Sequence, residues 1–164
     1  LIIWLTPYRL QRVMTFIDHQ KDPSGAAYQI NQALKAIGSG GIWGMGYGRS
    51  ASKSNYLPDP IDDSIFAVAG EELGFVGSGV IIILFGLLVF RLFWLARGMR
   101  DKFGQLILVG VGSLVAFQSL VNMGAISGLM PLTGVPLPFI SYGGTALAVF
   151  MTLSGIAINV SKYG

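Results

Sequence analysis

The sequence predicts an all-α polytopic integral membrane protein: three full transmembrane helices, the end of a fourth, and a large extracytoplasmic loop containing short amphipathic helices. Three observations predict it. Hydrophobic residues make up 52% of the 164 and charged residues only 12%, about half the charge of an average globular chain. No Asp, Glu, Lys or Arg occurs between Phe103 and Ser161, and a helix facing water needs a charged face. Five of the eight acidic residues, Asp59, Asp62, Asp63, Glu71 and Glu72, crowd into fourteen positions where a polar, proline-broken loop meets an apolar run. Carboxylates at such a boundary are costly to hold, which makes that junction the first candidate for function.

Composition also excludes several classes. With no cysteine and a single histidine, a disulfide framework, a thiolate site and a zinc cluster are ruled out. The net charge of +3 comes from scattered basic residues, several of them flanking apolar runs; that is a topology signal rather than a nucleic-acid surface. The expected contacts are membrane lipid and protein, not nucleic acid.

In chain order, residues 1–5 read as the end of a truncated transmembrane helix. Residues 6–64 form the large loop. Within it Thr6-Pro7 starts an amphipathic helix reaching about His19, with Leu10, Val13, Met14 and Ile17 on one face and Arg9 and Arg12 towards the headgroups. Ala27, Ile30, Leu34 and Ile37 repeat at helical spacing and predict a second short helix from Ala26 to Ile37. The run Gly38 to Ser50 has six glycines in thirteen residues, so its backbone must make close approaches or left-handed turns. Its spacing does not fit a dinucleotide-binding loop, and no strand precedes it.

Residues 65–90 are the first full span: Leu73 to Phe90 are eighteen uncharged residues in a row. Residues 91–103 hold Arg91, Arg97, Arg100 and Lys102 against Asp101, so the positive-inside rule assigns this short loop to the cytoplasm. A span over 104–126, an uncharged loop over 127–140, a span over 141–160 and a cytoplasmic end at 161–164 follow. By alternation, loops 6–64 and 127–140 both face out of the cytoplasm. Trp43 and Tyr47 suit the headgroup level.

Several motifs together carry a resemblance. Gln29-Ile-Asn-Gln32, Ala36-Ile-Gly-Ser-Gly-Gly41, Tyr56-Leu-Pro58, Asp63 with Ile65-Phe-Ala67, Glu71-Glu-Leu-Gly74 and the run Pro131 to Gly144 resemble the SEDS family (shape, elongation, division, sporulation), its division-type members more than its elongation-type ones. The resemblance covers almost the whole chain in order. It implies a peptidoglycan glycosyltransferase in the bacterial inner membrane that polymerises lipid II during cell division, beside a class B penicillin-binding protein transpeptidase and other divisome proteins. It also implies the catalytic residue: the family's loop aspartate stands one residue before the Ile-Phe-Ala run, which is Asp63. Where the family often has Thr-Asp-Phe, this chain has Asp62-Asp63-Ser64, so the choice of Asp63 over Asp62 rests on register.

The chemistry fits those residue types. A sugar 4-hydroxyl must lose a proton as it attacks an anomeric carbon, and a polyprenyl diphosphate must leave. Asp63 is the expected base, and Lys53 and Arg49, with Arg9 or Arg12, the cations for the diphosphate. A divalent cation bridging Asp63 and the diphosphate is compatible with this set, although no residue demands one. Gln29, Gln32, Ser39, Gly40, Gly41, Glu71, Ser141 and Tyr142 complete the expected substrate-binding surface.

Plainer readings stand beside each assignment. Asp62 and Asp63 also suit the first turn of the helix that follows, on its positive dipole end. Glu71, about 12 Å along that helix from Asp63, serves substrate or a structural ion pair; Glu72 fits the structural role. Lys53 and Arg49 suit ordinary solvated loop cations, and His19 an ordinary surface histidine. The loop after Pro131 has no acid or base, so it suits a cavity wall or simple packing, with Gln118 and Asn122 as polar groups inside a span. The alternative functions are a flippase or transporter for the same lipid precursor and a non-catalytic scaffold of the cell-wall complex.

Overall fold

The computed structural model describes residues 26–46, 64–131 and 134–162. Every regular element among them is an α-helix: α1 (Ala26–Gly40), α2 (Ile65–Gly98), α3 (Lys102–Ile126) and α4 (Gly144–Lys162). The last three are long and apolar enough to cross a membrane, and the protein is all-α and polytopic. Most of the apolar surface of α2 is exposed, including Phe75, Ile83, Leu87 and Phe90. In water such a surface would aggregate; in hydrocarbon it is already at home.

Several element bounds differ from the sequence expectation; α1, for one, runs to Gly40 rather than Ile37. Helix α2 continues through Gly98, so most of the stretch expected as a basic loop is helical. Arg91 and Arg97 are long side chains that reach water from a helix end, so they do not end the helix. The turn itself is short, and Asp101 then caps α3 by accepting from the Phe103 N–H (3.3 Å) and the Gly104 N–H (2.8 Å). Helix α4 begins only at Gly144.

Helices α2 and α3 form an antiparallel hairpin in which Gly112 lets Leu92 and Phe93 pack close. At its far end α3 stops in a glycine-terminated cap. Gly128 takes a left-handed φ of 73°, its N–H donates to the Ala125 carbonyl (3.1 Å), and the Leu129 N–H donates to the Gly124 carbonyl (2.9 Å). That is the Schellman arrangement.

The chain after that cap turns back into the bundle. The Asn122 amide donates to the Val135 carbonyl (2.7 Å) and the Gln118 amide donates to the Pro136 carbonyl (3.1 Å). Gln118 is one helical turn below Asn122, so the loop descends along α3 as it runs forward. Leu137 is buried, and Phe139 takes a φ of 65°, a strained conformation for a bulky residue. Its ring rests on Phe150 with centroids 5.5 Å apart. Irregular backbone is tolerated at this depth because protein amides, not lipid, satisfy its carbonyls. The same descent explains the short α4. Val160 packs at Gly104; counting up both helices from there, Gly144 stands about 9 Å short of the end of α3.

The polar side chains of α3 are therefore anchors for a re-entrant loop. Asn122→Leu is expected to lower stability by about 1 kcal/mol, since it orphans the Val135 carbonyl without opening a cavity. Thermal unfolding of the detergent-solubilised protein measures it.

Candidate functional site

Helix α1 packs through Ile30, Ala33 and Ala36, all buried, and through Gly40. Its small residues bring its backbone against the first turns of α2. A Cβ on Gly40 would collide with the Gly70 carbonyl oxygen, and one on Gly70 would press on Ile37. The polar residues Gln29, Gln32 and Ser39 follow one flank of α1 at helical spacing. Gln29 and Gln32 are half-buried, and Ser39 is exposed with its hydroxyl donating to the Ala36 carbonyl (2.8 Å).

Beyond α1 the glycine-rich chain runs directly across α2, which is broken there. Gly74 has φ 69° and ψ −165°, a backbone region open essentially to glycine alone. In an unbroken helix the carbonyls of Glu71 and Glu72 would accept from the N–H groups of Phe75 and Val76. Instead they accept from Met45 (3.0 Å) and Gly46 (3.1 Å), while Phe75 donates to the Gly41 carbonyl (2.9 Å) and Val76 to the Ile42 carbonyl (3.2 Å). Four inter-segment bonds thus stand where two intrahelical ones would be. Gly44 is part of the fit, since a Cβ there would collide with the Glu72 carbonyl.

This junction gathers Gly40, Gly41 and Glu71 into one place. Glu71 and Glu72 stand just before the break and are buried, 3% and 7% exposed. Among the described residues no group of three or more His, Asp or Glu side chains is placed to hold a metal ion. Ser141 and Tyr142 lie elsewhere, on the return from the re-entrant loop. Ser141 is buried and its hydroxyl accepts from the Leu137 N–H (2.7 Å), so it closes the loop, whereas Tyr142 is 79% exposed. Phe139, with Leu88, Leu92, Val111, Val115 and Ala157, lines an apolar cavity of about 120 Å³. Asp63, Asp62, Lys53, Arg49, Arg9, Arg12, His19, Tyr47 and the expected helix from Pro7 to His19 lie outside the described residues, as does the segment 1–5. The described part of α2 opens at Ser64, which is buried.

Sequence reasoning misses Gly74 and Gly44. The signal available is the pairing of a glycine-dense run with a glycine inside an apolar span. It is weak, because spans carry many glycines that merely pack.

Comparison with known proteins agrees with this architecture. The family model FtsW/RodA/SpoVE, described as "Cell cycle protein", matches residues 1–164. Stage V sporulation protein E of Bacillus subtilis (strain 168) is 43% identical over 162 residues, which cover 99% of this chain and 44% of that protein. The probable peptidoglycan glycosyltransferase FtsW of the same organism is also 43% identical, over 97% of this chain and 40% of its own length. The chain thus spans about two fifths of the length of the curated relatives it matches. A solved structure described as "Structural coordination of polymerization and crosslinking by a peptidoglycan synthase complex" superposes with a TM-score of 0.76 at 31% identity, covering 98% of this chain and 44% of that one. A match along the whole sequence, carried into the fold, leaves one assignment: the chain belongs to the FtsW/RodA/SpoVE family of cell cycle proteins.

Proposed function

We propose that the protein is a peptidoglycan glycosyltransferase of the SEDS type that polymerises lipid II, with Asp63 as general base. The observation that carries this reading is the distribution of acid. Among the described residues, carboxylates occur at Glu71 and Glu72 beside the helix break and at Asp101 in the opposite turn; the spans between hold none. Acid confined to the mouth of an apolar bundle suits chemistry on a headgroup that stays at the surface. The names of relatives such as the Bacillus FtsW support the reaction class.

In this mechanism the acceptor sugar's 4-hydroxyl gives its proton to the Asp63 carboxylate as its oxygen bonds to the donor's anomeric carbon. The bond from that carbon to the diphosphate oxygen breaks, and the electron pair leaves with the polyprenyl diphosphate. Attack from the face opposite the leaving group inverts the anomeric centre. Lys53 and Arg49 meet the leaving diphosphate, where positive charge helps most as charge develops. If a divalent cation takes part, Asp63 is its ligand on this chain. Loop 6–64 faces away from the cytoplasm of the inner membrane. The partner is a class B penicillin-binding protein transpeptidase, supported by the likeness to a polymerising and crosslinking complex.

Full-length protein incubated with purified lipid II, with and without a chelator, is expected to yield a ladder of glycan strands on a gel. A folded protein that leaves lipid II unchanged in both conditions removes the reading. One observation favours a lipid II flippase as the second reading: a broken helix and a re-entrant loop are devices that transporters use. Vesicles distinguish the two, since a flippase would move labelled lipid II between leaflets without forming polymer.

A further inference from the structure

We propose that the segment Gly40 to Gly46 is a backbone clamp that sets where residues 64–73 stand relative to the rest of α2, and that Gly44 and Met45 are positioning residues for the reaction at Asp63. The proposal rests on the glycosyltransferase reading and adds how its active residue is held in place.

Two alternative pairings share one set of main-chain groups. The carbonyls of Glu71 and Glu72 and the N–H groups of Phe75 and Val76 can satisfy one another only if α2 is straight. In this structure all four are bonded to the glycine segment: to Met45, Gly46, Gly41 and Ile42. Seating the segment and straightening the helix therefore compete for the same atoms. With the segment seated, α2 bends at Gly74; with it displaced, the two intrahelical bonds are free to form and the bend has nothing to hold it. Residues 65–73 are a short helix with Ser64 at its N-terminal end, so any change of angle at Gly74 moves that far end most. That far end, Ser64, is bonded to Asp63.

The segment is built for contact between backbones. Gly40, Gly44 and Gly74 each lie where a Cβ would strike main-chain atoms of the opposite strand of the junction. Gly44 N–H also donates to the Gly40 carbonyl (2.7 Å), which ties the segment to the end of α1. The side chains point elsewhere: Ile42, Trp43 and Met45 are 64%, 82% and 45% exposed. Sequence at those positions is thus free to serve another surface while the main chain does the positioning.

Catalysis is steep in geometry: a displacement of about 1 Å at a reacting group can reduce rate about a hundredfold. The test uses two full-length variants. Gly44→Ala adds a Cβ against the Glu72 carbonyl, and Met45→Pro replaces the N–H that serves Glu71 with a ring methylene aimed at the same carbonyl. In both, the Gly46 amide is expected to exchange with deuterium faster. The kcat for lipid II polymerisation is expected to fall about tenfold or more, with KM changed less than about twofold. Gly38→Ala, whose Cβ meets open space, is expected to match wild type in both readouts. Faster exchange at Gly46 with wild-type kcat overturns the proposal, because the seated segment would then be dispensable. A raised KM at constant kcat overturns it too, since the segment would be binding substrate. Should Gly44→Ala fail to fold, Met45→Pro decides alone. Wild-type protein that makes no glycan defeats the enzymatic reading itself, whereas active wild type beside an equally active, released Gly44→Ala defeats only the clamp.

Discussion

Asp63→Asn is expected to lower the rate of glycan polymerisation from lipid II by about a thousandfold, within the range a general base contributes. Asparagine matches the size of aspartate and keeps a hydrogen-bonding side chain, but it cannot accept the proton of the attacking hydroxyl. Folding should be untouched, as judged by elution in detergent and by thermal unfolding, and so should association with the proposed transpeptidase partner. The neighbouring substitution Asp62→Asn serves as the internal comparison, with an expected change of no more than a few-fold. Normal glycan strands from Asp63→Asn remove the mechanism. A collapse of rate in Asp62→Asn alone moves the base by one residue and leaves the reaction class standing.

The second large effect is expected in stability. Gly74→Ala places a methyl group among the Gly44 nitrogen and the Ile42 carbonyl, and it forces an L-residue to hold φ 69° with ψ −165°. Both penalties act at once, and neither can relax without unseating the glycine segment. A loss on the order of 3 kcal/mol or more follows, read as a fall in the thermal midpoint of the purified protein. Ordinarily Gly→Ala inside a helix stabilises by up to about 1 kcal/mol. The sign of the change therefore tests the break directly: a stabilised Gly74→Ala would mean that α2 runs straight through Gly74.

Some of this is legible in the order of the amino acids alone. The uncharged stretches from Leu73 to Phe90 and from Phe103 to Ser161 predict apolar spans; α2 takes up the first, and α3 and α4 take up the two ends of the second. The periodicity of Ile30, Leu34 and Ile37 predicts α1, which runs to Gly40. Gln118 and Asn122 stand out in the sequence as polar residues inside a span. Their use does not: each donates to a loop carbonyl that returns to it from thirteen to eighteen residues away. Ser141 is a similar case, since its motif suggests a substrate wall and its hydroxyl holds the Leu137 N–H.

By itself the sequence determined which segments prefer hydrocarbon, where the carboxylates gather and which family motifs accompany them, because solvent preference is a property that each side chain carries alone and adds to its neighbours'. Only the tertiary structure decided that α2 breaks at Gly74, that the glycine segment threads the gap, and that the loop after Gly134 turns inward. Those features are bonds between main-chain atoms distant in sequence, and main-chain N–H and C=O groups are alike at nearly every residue. A glycine shows only that close approach is permitted; its partner across the gap is chosen by the fold.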